Sequence, residues 1–120
     1  MYMTLELLNR TKRLGINTIY LVELLPNKPS GWVISKQIIK SATSVGANYR
    51  ATRLAKSEAD FLHKLKIVEE ECDETLFWIE IIEESQMITA DKMVGLKKEA
   101  KEILAITIAS LKTLKSKKHI

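Results

Sequence analysis

Apolar residues recur at helical spacing in four stretches of this chain, and three short breaks separate the stretches. In the first, Leu7, Thr11, Leu14, Thr18, Leu21 and Leu25 step alternately by four and three, which lays them along one face of a helix. Ile34, Ile38, Ser41, Val45 and Asn48 do the same in the second stretch. Phe61, Leu65, Val68, Cys72, Thr75, Ile79 and Ile82 form the most regular stripe, in the third. In the fourth, Met93, Leu96, Ala100, Ile103, Thr107, Ser110 and Leu114 line up, flanked by Leu104, Ile108 and Leu111. No segment alternates in the manner of a half-buried strand. Chain breakers are scarce, with 4 Gly and 2 Pro in all, so the turns they mark are few. Pro26-Asn27-Lys28-Pro29-Ser30-Gly31 is the clearest stop. Ser57 with Asp60 three residues on reads as a helix cap, and the pattern lapses again over Ser85–Thr89, with Thr89 and Asp91 as the next start. The spacing predicts helices over 4–25, 30–55, 58–85 and 90–116. Short connections make successive helices antiparallel, so residues 1–120 are expected to form one all-α domain, an antiparallel up-down-up-down four-helix bundle.

The composition excludes several alternatives. With 46% hydrophobic and 28% charged residues over 120 positions, the chain has the apolar content for one ordinary core and is not a disordered polymer. One cysteine excludes a disulfide framework and fits a reducing compartment. No uninterrupted apolar run is long enough to span a membrane, and MYMTLELLNRTKR lacks a secretory layout, so a cytoplasmic, membrane-free protein is expected. Chemistry-bearing motifs are also missing. A carboxylate di-metal bundle needs Glu-x-x-His on two helices, whereas this chain offers Asp60-Phe61-Leu62-His63 once, with His63 turned about 200° from Phe61 toward solvent. His119 lies in the tail, and Cys72 falls on the core stripe as a small hydrophobe. No metal, cofactor, small-molecule substrate or catalytic residue is expected, and the chain is read as a non-enzyme.

The third helix is more apolar than one seam requires. Ile67, Glu74, Trp78 and Ile81 make a stripe off the core line, and such surplus surface marks an interface between copies. The competing reading has Trp78 capping the bundle or tucked under the 26–31 turn. Ser41, Ala42, Ser44, Gly46 and Ala47 in the second helix permit a close helix approach, either between subunits or within one bundle. Asn48 and Glu74, polar groups on apolar stripes, are expected to set register or subunit contacts.

The net charge of +4 conceals a separation. In an antiparallel bundle, one end gathers the starts of helices one and three and the finishes of helices two and four. That end holds 12 bases (Arg10, Lys12, Arg13, Arg50, Arg53, Lys56, Lys64, Lys66, Lys112, Lys115, Lys117, Lys118) against Glu6, Glu58 and Asp60, a balance of +9. The other half carries 7 bases and 12 acids, a balance of −5, with no basic residue from Ile67 to Asp91. A clustered basic surface is the footprint of phosphate contact, and Arg50, Arg53, Lys56, Lys64, Lys66, Lys115, Lys117 and Lys118 are the candidate nucleic-acid-binding residues. Tyr49 is the one aromatic among them, which favours backbone or shape recognition of structured RNA over base stacking. A solvated face is the simpler reading. The alternative function is a protein-interaction scaffold that docks a partner on the acidic 69–84 face.

Three stretches carry a family resemblance: Ile38-Ile39-Lys40-Ser41-Ala42-Thr43-Ser44-Val45-Gly46-Ala47-Asn48-Tyr49-Arg50, then Phe61–Ile67, then Glu70-Glu71-Cys72-Asp73-Glu74-Thr75-Leu76-Phe77-Trp78-Ile79-Glu80. Over about residues 10–115 the chain resembles the bacterial four-helix bundle proteins called 23S ribosomal RNA intervening-sequence proteins. Ala51-Thr52 departs from the Glu-Ala that often follows the arginine in that family. The resemblance implies a ring-shaped homopentamer and association with ribosomal or other structured RNA, in a family without an established activity. A related bundle family, accessory subunits to a reverse transcriptase, implies the scaffold alternative.

Overall fold

The structure, a computed structural model, describes residues 4–118, with side chains through Lys117. The tail residue His119 lies outside it, as does the side chain of the candidate Lys118. Four helices follow in order: α1 (Leu5–Val22), α2 (Pro29–Ala51), α3 (Glu58–Glu84) and α4 (Ala90–Lys118). Each packs on the next and α1 closes on α4, giving a bundle of 51 × 21 × 21 Å. The expected up-down-up-down arrangement is the observed one.

Two predicted ends move inward. α1 stops at Val22 rather than at residue 25 because Pro26 cannot follow in a helix, and its ring would meet the Val22 carbonyl. The chain tightens instead, with Leu24 and Leu25 donating to the Leu21 and Val22 carbonyls at 3.0 Å. α2 begins on Pro29, where a missing N–H costs nothing, and ends at Ala51 rather than at residue 55. A single 3₁₀ turn, Thr52–Leu54, carries the chain on to α3. The Ser57 cap is present: its hydroxyl accepts from the Asp60 N–H at 3.1 Å, while Asp60 accepts from the Lys56 N–H at 3.0 Å.

The four predicted stripes form the core. Leu14, Ile38, Val45, Val68, Ile79, Ile82, Met93 and Ile103 are fully enclosed. Thr11, Thr18, Thr75 and Thr107 are buried with them, and each hydroxyl donates to the carbonyl four residues back at 2.8 Å. The Thr75 hydroxyl also lies 3.0 Å from the Ser41 hydroxyl, a buried polar contact between α3 and α2. Among the described residues no buried side-chain polar atom lacks a partner. Of the small residues of α2, Gly46 serves this bundle, since a Cβ there would stand 3.0 Å from the Thr11 carbonyl oxygen; one on Gly15 of α1 would stand 3.2 Å from Thr43 Cγ2, and Ala47 is exposed. The α1–α2 crossing is close because those two glycines face it.

Candidate nucleic-acid interface

The N-termini of α1 and α3 and the C-termini of α2 and α4 meet at one end, as the charge sorting assumes. Three of the cations assigned to that end are neutralised. Arg10 donates from Nε and Nη2 to Glu99 at 2.8 and 2.7 Å, and from Nη2 to Glu102 at 2.8 Å. Glu99 and Glu102 sit in the half counted as acidic, so this pair ties α1 to α4 across the boundary. The Glu99 hydrogen bond is the main cause holding the Arg10 guanidinium above its ordinary range, and Arg10 in turn holds the Glu99 carboxyl below its own. Lys64 Nζ lies 2.8 Å from both Asp60 oxygens, and Lys66 Nζ lies 2.9 Å from Glu69. The Lys64 hydrogen bond, ahead of that from the Lys56 N–H, keeps the Asp60 carboxyl below its usual value. The Lys66 ammonium is raised by its hydrogen bond to Glu69.

Lys12, Arg13, Arg50, Arg53, Lys56, Lys112, Lys115 and Lys117 are exposed, and none pairs with a carboxylate among the described residues. Of the candidate phosphate contacts, Arg50, Arg53, Lys56, Lys115 and Lys117 therefore remain available, whereas Lys64 and Lys66 would first exchange a partner. The structure also promotes a residue the sequence candidates omitted. Lys12 shares a groove with Arg50 and Arg53, between α1 and α2, with Leu5, Leu8 and Ile16 on its floor. Its signal was its place on α1 seven residues after Leu5 and seven before Ile19, visible only once the α2 partner face is known. Tyr49 is buried, its hydroxyl accepting from the Thr4 N–H at 3.2 Å, so it offers no ring to a base.

The residues of the predicted subunit stripe lie elsewhere. Ile67, Trp78 and Ile81 are partly buried, with Trp78 and Ile81 packed against the core, and Glu74 is exposed. Trp78 Nε1 donates to Glu74 at 3.2 Å, and the ring meets Phe77 edge-on at 5.0 Å. Phe77 itself is half exposed. The tryptophan at the 26–31 turn is Trp32, which donates to Asn27 at 2.8 Å. Asn48 does not cross to another helix; its amide donates to the Ser44 carbonyl at 2.9 Å. His63 is exposed, as its helical angle requires. Cys72 is enclosed, its thiol 3.2 Å from the Ala100 carbonyl and pushed by burial up to about 12, the state of an inert core thiol.

In the acidic half Lys97 donates to Glu83 at 2.8 Å, linking α4 to α3. Burial, then the neighbouring Glu74 charge, raises the Glu71 carboxyl. The bundle therefore presents bases at one end and acids along α3 toward the other.

Comparison with known proteins follows the same lines. A search of curated proteins found no match. A crystal structure at 1.70 Å of a protein with unknown function from the S23 ribosomal protein family of Bacteroides thetaiotaomicron superposes with a TM-score of 0.82 at 32% identity, covering 88% of this chain and 98% of that one. The family profile described as 23S rRNA-intervening sequence protein matches residues 3–109. With its helix order, its motifs and nearly its whole length accounted for in this way, the chain belongs to the 23S rRNA-intervening sequence protein family.

Proposed function

We propose that this protein is a non-enzymatic bundle that binds structured RNA, or a ribonucleoprotein, by phosphate contacts at its basic end. The observation that carries the reading is the set of exposed cations there, Lys12, Arg50, Arg53, Lys56, Lys115 and Lys117 among them, without carboxylate partners among the described residues. The family, named for reading frames in 23S rRNA gene inserts, is consistent with an RNA partner. Self-assembly into a ring, a homopentamer by family resemblance, would place several such ends on one face and multiply weak contacts. Binding is expected at low ionic strength with little sequence preference, falling steeply with salt. A labelled structured RNA that gives no salt-sensitive shift would overturn this reading. Light scattering tests the assembly: a species of 13.7 kDa at micromolar concentration would contradict it.

The second reading, a scaffold or accessory subunit, is favoured by one feature, the half-exposed Phe77 amid the acids of α3. A partner retained from nuclease-treated lysate and lost in Phe77→Ser would support it over the RNA reading.

A further inference from the structure

Between α1 and α2 runs a groove of about 410 Å³ that the RNA reading does not use in full. Its floor is aliphatic. Leu5 is 73% exposed and Ile19 42%, an apolar strip left uncovered by the described residues. Positions 5, 8, 12, 15 and 19 of α1 follow the three-four spacing of a helix-packing seam, with Gly15 closed against Thr43 and the rest facing the groove. Lys12, Arg50 and Arg53 rim it, none paired with an acid among the described residues. Phosphate contact would engage the rim and leave the leucines and isoleucines idle. Base stacking needs aromatic faces, and the groove lining has none among the described residues.

We propose that this groove docks an acidic amphipathic helix of another protein, with apolar side chains on the Leu5–Ile19 floor and carboxylates against Lys12, Arg50 and Arg53. The match is one of shape and charge: the floor runs over 15 residues of α1, Leu5–Ile19, or about 21 Å, four turns of a docked helix. The proposal is independent of RNA binding at the same end, although the two ligands share Arg50 and Arg53 and are expected to compete.

The test uses the full chain and a fluorescein-labelled designed peptide of about 14 residues, with leucines at three-four spacing and glutamates flanking them, beside a composition-matched scramble. Saturable binding of the patterned peptide is expected. It should weaken about tenfold or more in Ile16→Ser/Ile19→Ser and in Arg50→Glu/Arg53→Glu. A lysine-flanked peptide should regain affinity for the charge-reversed variant. RNA binding should survive Ile16→Ser/Ile19→Ser, which separates failure of this proposal from failure of the RNA reading. Leu5→Ser, at a more exposed position, repeats the test should the double variant lose helicity. Equal binding of the scramble, or native-like peptide binding by the serine variants, would overturn the proposal. So would a fall in assembly mass in Ile19→Ser, which would assign the groove to a second copy.

Discussion

Two glycines on this bundle look alike in sequence and differ in what surrounds them. Gly46 faces α1 so closely that an added methyl would meet backbone at 3.0–3.2 Å, from Thr11 and Lys12, whereas Gly95 has nothing within 4 Å. Gly46→Ala should therefore destabilise by about 1–3 kcal/mol through forced separation of α1 and α2. Gly95→Ala should stabilise by about 0.5–1 kcal/mol by removing backbone freedom from an exposed helix interior. Thermal melts of the two variants check the opposite signs. The Arg10–Glu99 pair gives a pH signature. The Glu99 carboxyl sits below its ordinary 4.5 in the fold, so its contribution is complete above that value and fades as pH falls through the lowered one. Glu99→Gln should cost about 1 kcal/mol at neutral pH, with the gap to the native protein closing in acid, as denaturant melts across pH would record. At this scale the sequence was half legible. The core positions of Thr11, Thr18, Thr75 and Thr107 followed from spacing, but their hydroxyl partners are backbone carbonyls, which no side-chain pattern advertises. The partners of Arg10 lie 89 and 92 residues away, a pairing that only the α1–α4 contact creates.

Helix boundaries were readable where a residue type dictates them and not where tertiary packing does. Pro29 and Ser57 start α2 and α3 as their chemistry requires. The early end of α2 was hidden, because Thr52 reads as helical yet is buried in a 3₁₀ turn with its hydroxyl donating to the Tyr49 carbonyl at 2.6 Å. The end of α3 is a full Schellman closure: Gln86 donates to the Glu83 carbonyl at 3.0 Å and Met87 to the Ile82 carbonyl at 3.2 Å. Glycine is the usual residue there, but this chain uses Gln86 at φ 61°. Gln86→Gly should raise the melting temperature, a gain of about 0.5–1 kcal/mol from relief of the left-handed strain. A lower melting temperature would mean that the Gln86 side chain contributes more than its backbone costs.

On the scale of the whole molecule the long axis separates charge, and the structure refines the simple count. Arg10, Lys64 and Lys66 belong to ion pairs, while Lys12, Arg50, Arg53, Lys56, Lys115 and Lys117 pair with no carboxylate among the described residues. The end that bears them was evident once four antiparallel helices were recognised; Lys64 and Lys66 pair with Asp60 and Glu69 within α3, at spacings the sequence displays, whereas the pairing of Arg10 crosses to α4 and no local pattern shows it. The central claim is that location, rather than total charge, makes this end bind RNA. Its most direct test compares two variants of equal net charge, Arg50→Glu/Arg53→Glu at the basic end and Lys36→Glu/Lys98→Glu on the opposite half, by titrating labelled structured RNA over a range of salt concentrations. The account predicts that the first variant loses most of its affinity and flattens the slope of log K against log salt by about 1 for each cation removed, while the second stays close to the native protein. Equal losses in the two variants, or none in either, would contradict it.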